Sequence, residues 1–183
     1  MLATGVAPVD RHLAAKRFIT ALLLGGAGAL ALMLMGYGIR PDLAQAALAP
    51  MLWVKLGFAF AVAVSALVLT ARLARPGVQP GRAWIGVGLP WAAISLMGLV
   101  VLMGAQPEAR LGLVLGRTWL SCALSISFIA SPVFVGLLWA LRGLAPTRLA
   151  LAGACAGLLA AAVGTLVYAL HCPEIEAPFL AVW

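Results

Sequence analysis

Residues 149–170, LALAGACAGLLAAAVGTLVYAL, run directly into His171-Cys172-Pro173-Glu174. A predominantly apolar run of about 20 residues has the length that an α-helix needs to cross the hydrocarbon core of a bilayer. The run therefore predicts a membrane-spanning helix. A thiol beside an imidazole and a carboxylate follows it at once, an arrangement that suits a sensor, a redox site or a structural corner.

The composition is that of an integral membrane protein. Hydrophobic residues make up 64% of the 183-residue chain and charged residues only 9%, whereas about 25% of the residues in a soluble domain are charged. The formal net charge is +7, but the basic residues lie between apolar runs, where they determine topology. Three cysteines, Cys122, Cys155 and Cys172, are too few for a disulfide framework.

The sequence predicts an all-α polytopic membrane bundle with five spans. A short cytoplasmic segment at 1–17 precedes a transmembrane domain at 18–183, and Arg40-Pro41-Asp42 ends the first span because proline disfavours a helix at and before its position. Lys55, near the end of the second span, is expected to extend to the membrane interface. The predicted spans are about 18–39, 53–71, 84–104, 118–141 and 149–170. Residues 179–183 are expected to begin a sixth span that is truncated after Trp183.

The basic residues predict the orientation. If the loops alternate between two sides, one side holds Arg11, Lys16, Arg17, Arg72, Arg75, Arg82, Arg142 and Arg148. The other side holds Arg40, Arg110 and Arg117, with Lys55 near its edge. Because cytoplasmic loops are enriched in Lys and Arg, the N-terminus is predicted to lie in the cytoplasm. The His171-Cys172-Pro173-Glu174 corner then faces the outside.

Two of the cysteines are predicted to lie at one depth near the outer rim. Cys172 follows the outer end of the fifth span, and Cys122 lies about one turn inside the outer end of the fourth. The short 142–148 connection makes these two helices antiparallel neighbours, whereas Cys155 enters from the cytoplasmic end. The pair is either a redox site or a soft-metal site completed by His171, or two small buried residues beside a helix-stopping proline.

The fourth span carries several hydroxyl groups ahead of Pro132. Pro132 deprives the carbonyl of Phe128 of its helical partner, and a nearby serine hydroxyl or a water is expected to bond to it. The hydroxyl groups indicate either a kinked, moving helix or simple interhelical packing. They belong to Thr118, Ser121, Ser125, Ser127 and Ser131.

Small residues follow one face of the fifth span, at Gly153, Gly157, Ala161 and Gly164. Such a seam lets another helix approach closely, and it serves packing within one chain more often than oligomerisation.

Catalytic motifs are missing from the sequence. No span has a charged residue near its middle, and there is no phosphate-binding glycine loop, no His-x-x-x-His pattern and no nucleophile elbow. The chain is therefore predicted not to be an enzyme.

A small transporter or permease subunit is the alternative, since the hydroxylated fourth span offers a polar path. A thiol oxidoreductase ranks last, because a Cys-x-x-Cys pair is absent.

Several stretches resemble the NrsF-type transmembrane anti-sigma factors. They are Arg40-Pro41-Asp42-Leu43, Trp53-Val54-Lys55-Leu56, the Cys122 helix, Ala145-Pro146-Thr147, and above all Tyr168-Ala169-Leu170-His171-Cys172-Pro173-Glu174 with residues 179–183. The resemblance implies a six-span protein of the bacterial inner membrane that holds an extracytoplasmic-function sigma factor inactive. It also implies release under heavy-metal or oxidative stress, with two cysteines that fall by motif on Cys122 and Cys172.

The prediction from the sequence is thus a multi-pass anti-sigma factor in the lipid bilayer that does not itself contact nucleic acid. Cys122, Cys172 and His171 are its predicted sensing residues, with a transient heavy-metal ion as their ligand. Arg11, Lys16 and Arg17 are its predicted sigma-binding residues.

Overall fold

The computed structural model describes residues 12–182, which contain eight helices and no strand. The helices are α1 (Leu13–Gly36), α2 (Leu43–Ala46), α3 (Pro50–Leu73), α4 (Ala83–Gly104), α5 (Pro107–Leu115), α6 (Trp119–Arg142), α7 (Leu149–Tyr168) and α8 (Ala177–Val182). Five are long and apolar enough to cross a membrane: α1, α3, α4, α6 (together with α5) and α7. This confirms the prediction of an all-α bundle with five candidate spans.

The long helices are arranged in a chain of neighbours. α6 packs against α1 and α7, which also contact each other, α3 packs against α7 and α4, and the short α8 packs against α4 and α5. The core between them consists of small and branched apolar side chains, with Ile129, Val133 and Leu137 of α6 completely buried. The contact between α6 and α7 confirms that they are neighbours, as their short connection predicted.

Glycines on both helices allow α1 and α6 to approach each other closely. A Cβ atom built on Gly25 would lie 2.6 Å from the Cα of Val133, and one built on Gly136 would lie 3.1 Å from the carbonyl oxygen of Ala21. The predicted small-residue seam of α7 holds only in part. Gly164 lies against α6, where an added Cβ would lie 2.9 Å from the Cβ of Ala130, but a Cβ added at Gly153 would meet no atom of another helix within 4 Å.

The observed helix ends differ from the predicted spans in several places. α1 begins at Leu13 and not at residue 18, so Lys16 and Arg17 belong to its first turns and not to a preceding segment. α3 begins earlier than predicted, with Pro50 in its first turn, where a missing N–H has no cost. The stretch between the third and fourth predicted spans contains α5, which also begins with a proline.

The C-terminal residues form a short helix folded onto the bundle. α8 covers Ala177–Val182, and its Phe179 and Leu180 side chains are buried. The expectation that residues 179–183 begin a sixth span stays a prediction, and Trp183 lies outside the described residues.

The hydrogen bonding around Pro132 in α6 is as the sequence predicted. Pro132 lies inside the helix, and the Ser131 hydroxyl donates a hydrogen bond of 2.7 Å to the carbonyl oxygen of Phe128. The carbonyl that proline leaves without a helical partner is thereby satisfied.

Contacts between helix ends establish which ends lie together. At one end of the bundle the Arg17 guanidinium of α1 lies over the Trp139 ring near the end of α6, 5.3 Å from its centroid, and against Gly143. At the other end, the amide of Arg40 after α1 donates to the carbonyl of Leu170 after α7 at 3.1 Å. α1 and α7 therefore both run antiparallel to α6, as alternation of successive spans requires.

Candidate functional site

The candidate site is the segment between α7 and α8, residues 169–176, with the side chains that surround it. Cys172 in this segment and Cys122 in the first turn of α6 are 1% and 3% exposed, and their thiols are in hydrogen-bond contact. Both are free thiols. The structure thus brings together the two cysteines that the sequence placed at one depth.

The third cysteine is remote from this pair. Cys155 is buried in α7 as a free thiol. It precedes Tyr168, the last residue of α7, by 13 positions, which corresponds to about 20 Å of helix. This agrees with the prediction that Cys155 does not join the other two.

Lys55 lies at the centre of the site, and the prediction that its side chain extends to the interface is wrong. The residue is only 4% exposed, and its Nζ donates a 2.8 Å hydrogen bond to the carbonyl oxygen of Glu174. It also interacts with the sulfur of Cys172. A buried ammonium is unfavourable unless it is paired and hydrogen-bonded, and this segment supplies the acceptors that turn the side chain inward.

Cys172 is the acidic member of the thiol pair. The hydrogen bond from Cys122, together with the positive charge of Lys55, lowers the pKa of Cys172 to about 6, against the opposing effect of burial. A thiolate is the reactive form of cysteine towards oxidants and soft metals. Near neutral pH the pair is therefore a thiol beside a thiolate.

Glu174 ties the segment to the start of α6. One oxygen of its carboxylate accepts a 2.7 Å hydrogen bond from the amide of Arg117 and a 3.4 Å one from the Thr118 hydroxyl. Gly116, with φ of 58°, lies directly beneath this carboxylate and the Phe179 ring. A side chain at position 116 would occupy the space of both groups.

Arg40 ties the same segment to the loop after α1. Its guanidinium donates to the carbonyl oxygen of Cys172 at 3.3 Å and forms a 2.6 Å ion pair with Asp42. The hydrogen bond to Asp42 raises the pKa of Arg40, and the same bond lowers the pKa of Asp42. Hydrogen bonds through Arg40, Lys55 and the Glu174 carboxylate thus tie the segment to the loop after α1, to α3 and to the residues before α6.

The described contacts of His171 are with residues other than the two cysteines, and its part in metal sensing stays a prediction. Its Nδ1 lies 3.2 Å from the carbonyl oxygen of Gly38, and its ring packs near those of Tyr37 and Tyr168. Across residues 12–182, no three His, Cys, Asp or Glu side chains form a group that would hold a metal ion. His171 is a packing and hydrogen-bonding residue in this arrangement.

A cavity of about 260 Å³ opens beside the thiol pair. Lys55 and Cys122 line one part of it, and aromatic side chains from α3, α4, α7 and α8 line much of the rest, namely Phe58, Trp91, Tyr168 and Phe179. The sequence did not reveal this cavity. The one feature of the sequence that pointed to this cavity was Lys55, a charged residue inside an otherwise apolar run.

The hydroxyl groups of α6 do not form a continuous polar path. Ser121, Ser127 and Ser131 each donate to a backbone carbonyl of their own chain three or four residues earlier. Ser125 is buried and hydrogen-bonds with Tyr168. This pattern suits packing and interhelical bonding, not the conducting helix that a transporter would need.

Fold and site together define a class: an all-helical protein with five helices suited to crossing a membrane and a reduced cysteine pair at one end of its bundle. A family model described as "Negative regulator of sigma F", NrsF, matches residues 2–183. The chain belongs to this family, and the resemblance seen in the sequence is confirmed.

Two relatives carry the family name. The probable anti-sigma-F factor NrsF of Azospira oryzae is 44% identical over 183 residues, which are 100% of this chain and 86% of that protein. The anti-sigma-F factor NrsF of Caulobacter vibrioides is 40% identical over 161 residues, 87% of this chain and 75% of that protein. Both are named as regulators and not as enzymes. No solved structure matches the chain.

Proposed function

We propose that this protein is an anti-sigma factor of the bacterial inner membrane, which binds an extracytoplasmic-function sigma factor and releases it when Cys122 and Cys172 are oxidised or bind a heavy-metal ion. Membership of the family and the names of the two relatives support the regulatory role. The observation that carries the sensing role is the contact between two buried, reduced thiols beside Lys55.

The sigma factor binds at the end of the bundle opposite the thiols. That end holds the starts of α1, α4 and α7 and the ends of α3 and α6, where most of the basic residues lie. Under the positive-inside rule this end faces the cytoplasm. Lys16 is exposed there, whereas the Arg17 guanidinium is packed over Trp139. Arg11, the third predicted sigma-binding residue, lies outside the described residues.

The thiol pair acts as the trigger because it joins two parts of the bundle. Cys122 belongs to α6, whereas Cys172 belongs to the segment that Lys55 and Glu174 hold in place. A disulfide or a bound soft metal, which favours thiolate ligands, changes the contacts of the segment with α6. A signal shifts a conformational equilibrium only through such differential contacts, and α6 extends from the thiols to the basic end.

The test is co-purification of the partner sigma factor with the protein in lipid nanodiscs. Sigma is expected to remain bound under reducing conditions and to dissociate after addition of diamide or cadmium. The Cys122→Ser and Cys172→Ser variants are expected to retain sigma under both treatments. Cys155→Ser is the matched control, since it removes an equally buried thiol away from the pair, and it should respond as the wild type does.

Two results would contradict the proposal. Absence of sigma binding under reducing conditions would refute the anti-sigma role. Normal release from the Cys122→Ser, Cys172→Ser double variant would refute the sensing role and leave the anti-sigma role standing.

A further inference from the structure

The cavity beside the thiol pair has the features of a binding site for a small ring. Its volume of about 260 Å³ lies just below the roughly 300–1,000 Å³ of sites for drug-sized ligands. Trp91 and Phe58 form one wall in an edge-to-face contact with ring centroids 5.2 Å apart. Such a space accepts one flat ring and leaves any tail outside.

The polar groups of the cavity favour a ring that carries hydrogen-bond acceptors. The hydroxyls of Ser127 and Thr165 donate to carbonyls of their own helices. Lys55 has three donor hydrogens, and among the described residues the Glu174 carbonyl and the Cys172 sulfur account for two of them. The third hydrogen of the Lys55 ammonium is available to a carbonyl oxygen of a ligand inside the cavity.

The mouth of the cavity lies on the side of the bundle. Ala123 and Ser127 of α6 and Ala161 of α7 line the cavity and are also exposed. These residues lie within two of the helices that are suited to crossing a membrane. A ligand therefore enters from the hydrocarbon region of the bilayer and not from water.

From these features we propose that the cavity binds the ring of a membrane quinone, which oxidises Cys122 and Cys172 to a disulfide. A quinone is a flat, neutral, lipid-soluble ring with two carbonyl acceptors, and it takes up two electrons from a pair of thiols. Cys122 lines the cavity and contacts Cys172 behind it. The site thus places the quinone next to the Cys122 thiol, and the Cys122 thiol next to Cys172.

The oxidation proceeds in two balanced steps. The Cys172 thiolate takes up the proton of the Cys122 thiol as the sulfur of Cys122 adds to a ring carbon of the quinone, and Lys55 stabilises the negative charge that forms on the quinone oxygen. The sulfur of Cys172 then attacks the sulfur of Cys122. The S–S bond forms, the C–S bond breaks, and the electron pair returns to the ring. The proton that came from Cys122 and one proton from water complete the hydroquinone, so a thiol, a thiolate, a proton and one quinone give one disulfide and one hydroquinone.

The regulatory consequence of this oxidation rests on the proposed function, in which the disulfide causes release of the sigma factor. In that case the protein reports the redox state of the quinone pool of the membrane. Binding and oxidation are measured on the protein alone and do not depend on sigma.

The experiment uses the reduced protein in anaerobic phospholipid nanodiscs with decylubiquinone as the probe. Disulfide formation is followed by differential alkylation and mass spectrometry, and hydroquinone by its ultraviolet absorbance. Ala161→Phe fills the mouth from an exposed position. Ala154→Phe is the matched control, two turns away on the same face of α7, exposed, and outside the cavity. Diamide, a water-soluble oxidant, tests whether the thiol pair of each variant is intact.

Wild type and Ala154→Phe are expected to give a Cys122–Cys172 disulfide with one hydroquinone each. Ala161→Phe is expected to react with decylubiquinone about tenfold more slowly or worse, because exclusion of the ring removes the advantage of proximity, while its reaction with diamide is unchanged. The proposal is overturned if decylubiquinone forms no disulfide in wild type although diamide does, or if Ala161→Phe reacts with decylubiquinone at the wild-type rate. Quinone-driven oxidation without sigma release would instead refute the sensing role alone.

Discussion

Gly116 offers the sharpest test of how the site segment is held. It precedes α6 with φ of 58° and ψ of −162°, a region of backbone conformation that only glycine adopts readily. It also lies against the Phe179 ring of α8 and the Glu174 carboxylate of the segment between α7 and α8. Gly116→Ala changes both features by the addition of one methyl group.

The expected loss of stability has two parts. Holding a residue other than glycine in this backbone region costs about 1–3 kcal/mol. The new Cβ would lie 2.7 Å from Phe179 Cδ2 and 2.9 Å from Glu174 Oε2, which is too close for either group to remain in place. Relief of such crowding in a packed region costs a further 1–3 kcal/mol or so. The free energy of unfolding should therefore fall by at least about 2 kcal/mol.

The assay is unfolding by SDS in mixed micelles, followed by circular dichroism. Gly112→Ala is the matched control, since Gly112 lies in α5 and a Cβ added there would meet no atom within 4 Å. Alanine there should leave stability unchanged or raise it by about 0.5–1 kcal/mol, because glycine is unfavourable inside a helix. If Gly116→Ala is as stable as Gly112→Ala, the packing of Phe179 and Glu174 on Gly116 is not as described.

Two further predictions concern the helix interface and the thiol pair. Gly25→Ala should lower the free energy of unfolding by about 1–3 kcal/mol, because its Cβ would lie 2.6 Å from Val133 Cα. Gly26→Ala, with nothing within 4 Å, should not lower it, and the SDS assay separates the two. For the thiol pair, the ultraviolet absorbance of the thiolate should titrate near pH 6 in wild type. Lys55→Met should move this midpoint upward, because loss of the ammonium disfavours the thiolate. An unchanged midpoint would show that Lys55 does not act on Cys172.

The sequence predicted those features that depend on one helix or on the order of helices. Apolar runs of the right length identified all five long helices. Pro132 beside Ser131 was enough to predict the local hydrogen bond to the Phe128 carbonyl. Alternation of direction, together with a short 142–148 connection, placed Cys122 and Cys172 at one end of adjacent helices. Each of these steps uses spacing along the chain alone.

The features that the sequence did not predict depend on contacts between distant segments. Lys55 has the sequence context of an interfacial lysine, because the Glu174 carbonyl and the Cys172 sulfur that hold it are more than 110 positions away. His171 has the sequence context of a metal ligand beside Cys172, because adjacency along the chain does not show that its ring turns towards Gly38 and Tyr37. The α1–α6 interface was missed for a similar reason, since glycine at position 25 or 136 gives no sign of its partner.

The position of Lys55 also bears on how oxidation of the thiols would be transmitted. In the reduced protein the buried ammonium has an anionic neighbour in Cys172 and a neutral one in the Glu174 carbonyl. A disulfide carries no charge, so under the proposed function oxidation leaves the ammonium with the carbonyl alone. A buried cation without a counter-charge is costly, and Lys55 can regain water by turning outward, since it lies near the start of α3. That movement would break the bond to Glu174 and free the segment from α3, in addition to the change of its contact with α6 at Cys122. Under the proposed function, the signal is then a change of partner for one lysine, and it requires no large movement of the cysteines.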